Sequence, residues 1–207
     1  MKRLAVLGAS GHGKVVADLA ELLGFTVQFF DRAWSERQAI AKWPVLGSEC
    51  MLLDRALEFD GVVVAIGNNQ VRAERFLELD AKGARLATLV HSSAQISRYA
   101  ALGIGTVIFA NAVINVDAFI GRGVIINTAS TVDHDCHLSD FVHISPGVHL
   151  AGNVTVGCRS WVGIGASVRQ GVTIGEDVVV GAGAVVVSDI PSGSCVVGVP
   201  AKPISLR

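Results

Sequence analysis

An aliphatic side chain falls at every sixth position of this chain from Ile96 to Val186 without a break: Leu102, Ile108, Ile114, Ile120, Ile126, Val132, Leu138, Ile144, Leu150, Val156, Val162, Val168, Ile174 and Val180 lie between. Val, Ile and Leu make up about 30% of the residues, so sixteen independent draws would all succeed with odds of about one in 10⁸, and the register is a structural signal. Two residues before each sits a small or aliphatic partner, among them Ala94, Thr106, Ala112, Ser130, Cys136, Val154, Ser160 and Ala184. Two inward side chains flanking one outward residue is the period-2 signature of a short strand, and the rest of each hexad has to turn a corner. Three hexads close a triangular coil of about 18 residues, which predicts a parallel β-helix of about five coils. A sandwich of alternating strands has no reason to hold one six-residue phase for so long.

Upstream of residue 90 the composition differs. Lys, Arg, Glu and Leu recur there in helix-like blocks, which predicts two domains, 1–90 and 91–207. The first opens with the strand "RLAVLGA", the loop "GASGHG" (Gly8 to Gly13) and a helix from about Lys14 to Leu23. The strand "FTVQFF" then runs up to Asp31. Later "GVVVAIGNN" repeats the strand and glycine turn, followed by a helix from about Gln70 to Lys82 and a strand "ATLVH". This is a Rossmann-like α/β pattern in which glycine turns at strand ends can approach a phosphate. The spacing GxxGxG is not the dinucleotide fingerprint, and some 90 residues hold one mononucleotide unit, which argues against an NAD-dependent oxidoreductase. Asp31, about 20 residues beyond the loop, is placed to bond a ribose or a base.

A net charge of −1 gives no electrostatic reason to expect nucleic acid or an anionic membrane. No segment approaches the roughly 20 apolar residues of a membrane span. The four cysteines, Cys50, Cys136, Cys158 and Cys195, are scattered without a CxxC pair, so reduced thiols in the cytoplasm are expected.

The stretch Thr131 to His149, "TVDHDCHLSDFVHISPGVH", holds four of the six histidines and suggests a metal site at first sight. The six-residue register takes it apart. His137, His143 and His149 occupy the same outward position on three different faces, so they cannot meet on one ion within a chain, and no metal is expected. His134 and Asp135 fall at a corner, where side chains stand clear. Residues 18 apart stack, so Ser145-Pro146-Gly147, Gly163-Ile164-Gly165 and Gly181-Ala182-Gly183 form one column with few bulky side chains. Such a groove suits an extended ligand that bonds to backbone, for example a pantetheine arm. Trp161 falls beside His143 on an outward face, a position that suggests a subunit contact.

Taken together, "GASGHG", "AIGNNQVR", "VDHDC", "FVHISPG", "GIGA" and "GVPAK" resemble the hexapeptide-repeat sugar acyltransferases of the sialic acid O-acetyltransferase and UDP-4-amino-sugar N-acetyltransferase family, over nearly the whole chain. The resemblance implies a left-handed β-helix and a homotrimer with active sites between subunits. It implies that the α/β domain binds a UDP-linked amino sugar through Ser10, Gly11, His12, Asp31, Arg32 and Gly67. His134 is then the general base, with Asp135 raising its basicity, while His143, Ile164 and Ala182 contact acetyl-CoA. Members of the family often carry a second acid where this chain has Arg32, a departure that bears on the base or sugar contact.

The chemistry suits these residues in its own right. An amine or hydroxyl attacking a thioester must lose a proton, and a positioned histidine is worth about 10²- to 10⁴-fold in taking it. A neighbouring carboxylate fixes the tautomer and stabilises the imidazolium. The expected reaction is direct acetyl transfer from acetyl-CoA to the 4-amino group of a UDP-linked 4-amino-4,6-dideoxy sugar, for bacterial surface glycan or glycoprotein biosynthesis. Two alternatives stand beside it: O-acetylation of sialic acid or another surface sugar, and a non-catalytic sugar-nucleotide-binding scaffold.

Overall fold

The structure, a computed structural model, describes residues 2–204. It divides into two compact units, Met1–Leu89 and Val90–Arg207.

In the first unit, β1 (Lys2–Leu7), α1 (Gly11–Leu22), β2 (Phe25–Phe30), β3 (Ala39–Ile40), β4 (Trp43–Gly47), α2 (Glu49–Arg55), β5 (Gly61–Val64) and α3 (Asn69–Ala81) follow in order. The sheet order is β3-β4-β2-β1-β5, with β3 antiparallel to β4 and the other pairs parallel. Strand β1 and, at the end of the sheet, β5 are apolar runs because both faces of a parallel sheet are covered, and Leu4, Ala5, Val6, Val62 and Val63 are at most 1% exposed. Helix α1 begins at Gly11, not near Lys14, so Gly11, His12 and Gly13 are helical and Ser10 is the N-cap. The last expected strand shrinks to Leu89–Val90 and is no part of this sheet, since it lies beside Val107–Ile108 of the β-helix. Sequence reasoning placed no elements between Asp31 and Gly61, where β3, β4 and α2 are short and lack a sustained period.

The second unit is the parallel β-helix, built of two-residue strands on three faces. The first face stacks Gln95–Ile96, Val113–Ile114, Thr131–Val132, His149–Leu150, Ser167–Val168 and Val185–Val186. The second carries Ala101–Leu102 through Phe119, His137 and Thr155 to Thr173–Ile174, and the third carries Val107–Ile108, Ile125–Ile126, His143–Ile144, Trp161–Val162 and Val179–Val180. Rungs pair with the residue 18 positions on, as in Ile114 with Val132 and Ile144 with Val162, until Val179, which pairs with Cys195 16 positions on. Inward aliphatic residues from Ile108 to Val186 are at most 3% exposed, whereas Ile96 and Leu102 in the first coil are half-buried. Truncating one of the buried ones to Ala would cost about 2–4 kcal/mol. Polar residues in inward positions are satisfied by backbone: Thr106 Oγ1 donates to Gly121 O at 3.0 Å, and Ser160 Oγ donates to Gly175 O at 2.6 Å and accepts from Val178 N at 2.9 Å. Cys136 is 1% exposed and its thiol is pushed up by burial.

The corners share one backbone device. Every sixth residue from Gly105 to Gly183 has φ between 53° and 71°, the left-handed region. Gly, Asn and Asp tolerate that conformation best, and they fill the series apart from Ala129, Phe141 and Arg159. Asp135 belongs to this series, so its residue type suits the corner before any chemistry is considered.

Candidate active site

The edge between the first and second faces carries His134. Its Nδ1 lies 2.7 Å from Asp135 Oδ2, and its backbone N–H donates to Asp133 Oδ1 at 2.8 Å. Asn115, one coil earlier, donates to the same Asp133 oxygen at 2.7 Å. The hydrogen bond to Asp135, with the charges of Asp133 and Asp135 adding to it, holds the His134 pKa above its ordinary value. Asp133 is lowered chiefly by the His134 N–H and then by Asn115. With Nδ1–H donated to Asp135, Nε2 is the free basic atom. The neighbour that shapes the ring's seat is Gly152, one coil on. A Cβ there would come within 2.5 Å of Cε1 and Nε2 of His134. Sequence reasoning missed Gly152, although its 18-residue offset from His134 was there to be read.

The edge between the third and first faces carries the small-residue column. Gly165 N donates to Pro146 O at 3.0 Å and Gly183 N to Ile164 O at 2.8 Å, so those N–H groups hold the coils together. The N–H groups of Ile164 and Ala182 enter no hydrogen bond among the described residues. Ile164 is 57% exposed and Ala182 is exposed, so these two unbonded donors belong to exposed residues of the column. On the adjoining third face the His143 and Trp161 rings stack in parallel, 5.4 Å apart at 1°, and Trp161 Nε1 donates to Ser145 Oγ at 2.7 Å. His143 is buried while Trp161 is 45% exposed. His143, Ile164 and Ala182 thus gather on one side of the prism. His134 and Asp135 stand on another edge, with the first face and its Thr131–His149 pair between them. The structure also keeps His137, stacked on Phe119 at 4.7 Å, on the second face, away from His143 and His149.

In the α/β unit, a cleft of about 510 Å³ opens where the β1, β2 and β5 turns meet. Ser10, Asp31, Arg32 and Gly67 line it together with Gly8, Arg37 and Glu49. Gly8, at φ +111°, lets the loop approach Ala65 O, where a Cβ would come within 2.8 Å. Ser10 makes no side-chain cap bond to α1, and Gly11 has open space around its Cα. Asp31 is a brace for the loop: Oδ2 accepts from Ala9 N at 2.6 Å and Oδ1 from Ala33 N at 2.8 Å. His12 does not line the cleft. Because α1 starts early, its imidazole turns inward with Nε2 enclosed, and burial together with the Arg72 charge lowers its pKa to about 4. Arg72 is 2% exposed, its pKa lowered to about 9 by burial, and its Nη1 donates to the carbonyls of Ile66 and Gly67 at 3.0 and 3.4 Å. It supports the second glycine turn from beneath.

Among the described residues no helix is long and apolar enough to cross a membrane, and no group of three or more His, Cys, Asp or Glu side chains is placed to hold a metal.

Comparison with known proteins agrees with both units. The PglD N-terminal domain matches residues 3–79, and the bacterial transferase hexapeptide repeat matches residues 153–188. UDP-N-acetylbacillosamine N-acetyltransferase of Bacillus subtilis is 38% identical over 113 residues, 53% of this chain, and the match spans about half (52%) of that curated relative. The acetyltransferase domain of PglB from Neisseria gonorrhoeae, solved with acetyl coenzyme A, is 45% identical with a TM-score of 0.94, covering 98% of this chain and 99% of that one. Perosamine N-acetyltransferase from Caulobacter crescentus, solved with CoA and GDP-perosamine, is 38% identical with a TM-score of 0.94, covering 99% and 98%. The coils wind left-handedly, as in these acetyltransferases. The chain therefore belongs to the family of sugar acetyltransferases that join a PglD N-terminal domain to a left-handed hexapeptide-repeat β-helix.

Proposed function

We propose that the chain transfers the acetyl group of acetyl-CoA to the 4-amino group of a UDP-linked 4-amino-4,6-dideoxy sugar, in the cytoplasm, as a step in building a bacterial surface glycan or glycoprotein. The observation that carries this reading is the His134–Asp135 pair at 2.7 Å, seated over Gly152 on the edge of an acyltransferase-type β-helix. Relatives named as N-acetyltransferases of bacillosamine and perosamine support an amine acceptor over a hydroxyl.

His134 Nε2 takes the proton from the sugar amine as the nitrogen attacks the thioester carbonyl. The new C–N bond forms, the tetrahedral centre collapses with loss of the C–S bond, and the CoA sulfur leaves as thiol after taking up a proton. Ser93 does lie beside an imidazole, its Oγ 2.8 Å from His91 Nδ1, but that oxygen accepts the Asn111 N–H at 3.1 Å and stands apart from the His134 edge, so direct transfer is the reading we adopt. Asp135 keeps Nδ1 protonated and compensates the imidazolium as it forms. The free N–H groups of Ile164 and Ala182 bond the pantetheine arm, beside His143. Ser10, Gly11, Asp31, Arg32 and Gly67 surround the nucleotide; His12 acts from behind the loop.

Within the β-helix of one chain, the first face separates His134 and Asp135 from Ile164 and Ala182. His134 and Asp135 side chains are 55% and 59% exposed, so one chain gives the base no shelter from water. In our reading a homotrimer sets the His143–Ile164–Ala182 edge of one subunit against the His134 edge of the next, with exposed Trp161 and Ile164 in the contact. Incubating the protein with acetyl-CoA and a UDP-linked 4-amino-4,6-dideoxy sugar, with thiol release and product mass followed together, tests the reaction. One acetyl gained on nitrogen per thiol released is expected. Absence of acceptor-dependent thiol release would overturn it.

A further inference from the structure

The cleft of the α/β unit has an uneven supply of polar groups. Its carboxylates are committed: Asp31 accepts the N–H groups of Ala9 and Ala33, and Glu49 Oε2 faces Arg75 Nε at 3.4 Å. Arg37 Nη1 donates to Ala9 O at 2.5 Å and so serves the glycine loop. Arg32 lines the same cleft, is exposed, and makes no hydrogen bond or ion pair with any described residue. It follows directly on β2 and Asp31, whereas Ser10 and Gly11 open α1. In this architecture the helix N-terminus takes the phosphates and the end of the second strand lies toward the nucleoside.

Resting on the nucleotide-sugar reading of this cleft, we propose that Arg32 selects the nucleobase by donating to the keto oxygen at C4 of a pyrimidine or C6 of a purine, so that the site takes uracil, thymine or guanine nucleotides and rejects cytosine and adenine. A guanidinium has donors and no acceptor, so a keto oxygen satisfies it. At that same position cytosine and adenine present an exocyclic amino group, another donor, and the pair would be desolvated without a bond. A site built around one polar contact discriminates strongly against the analogue that leaves it unmet.

The test is calorimetric titration of the full chain with UDP, GDP, CDP and ADP. UDP and GDP are expected to bind at least about tenfold tighter than CDP and ADP, the ratio set by one charge-assisted hydrogen bond. Arg32→Met should bring the four within about twofold of one another, and Arg32→Lys, still a donor, should restore part of the preference. Equal affinity of the unaltered protein for all four would overturn the role of Arg32 alone. A uniform weakening of all four in Arg32→Met would overturn it too, by making Arg32 a phosphate contact. Failure of any diphosphate to bind would overturn the nucleotide reading of the cleft, and the proposal with it.

Discussion

The imidazole of His134 lies across Gly152 of the next coil so closely that a methyl group there would sit within 2.5 Å of the ring's Cε1 and Nε2. The φ of Gly152 is not in the left-handed region, so its lack of a side chain answers to His134 and not to the corner. Gly152→Ala is therefore expected to displace the ring while leaving the coil intact. Acetyl transfer should fall by at least about tenfold, with the melting temperature little changed. Steady-state rates beside a thermal melt check this.

Asp135 raises the basicity of His134, and Asn at the same place keeps the tolerance for φ 59° while removing the charge. The neutral imidazole is the working form, so activity rises with pH through the His134 pKa. That pKa is raised in the unaltered protein, so the rising limb of kcat/KM should move to lower pH in Asp135→Asn, and the plateau should fall. A limb that stays in place would remove Asp135 from the base's environment.

Ala182 is a place where one N–H can be deleted almost alone. Pro146 occupies the equivalent corner position two coils earlier, so the corner accepts proline. Ala182→Pro should weaken acetyl-CoA binding about 5- to 10-fold, the worth of one hydrogen bond, while Ala182→Ser should bind normally. Titration with CoA separates the two.

The corner series predicts opposite stability effects of the same exchange. Ala129, at φ 55°, pays for a conformation that glycine adopts freely, so Ala129→Gly should stabilise the β-helix by about 0.5–1 kcal/mol. Gly171, at φ +71° with open space around it, is the converse, and Gly171→Ala should destabilise by about 1 kcal/mol. Chemical denaturation of both variants gives the sign.

Most of the second unit was legible because its period is geometric: once Ile96 and Val186 fix the phase, the face and direction of His134, His143, Trp161 and Cys136 follow. The left-handed corners were also written in the sequence, as Gly, Asn and Asp every sixth residue, and that column gives Asp135 a backbone reason that its pairing with His134 alone does not suggest. Gly152 escaped notice because its constraint comes from a side chain 18 residues away, and a glycine at a corner looks like any other. His12 was expected among the ligand contacts from the family resemblance, with the helix expected only from about Lys14. The helix in fact starts at Gly11, which rotates His12 inward against Arg72. Between Asp31 and Gly61 the strands are two and five residues long, too short for alternation to show.

The proposed reaction depends above all on His134 removing the proton from the attacking amine. Its most direct measurement is the rate of thiol release from acetyl-CoA by His134→Asn, with both substrates saturating and CoA binding confirmed by titration. A fall of about 10²- to 10⁴-fold with CoA affinity retained is expected. A variant that turns over at the rate of the unaltered protein would contradict it.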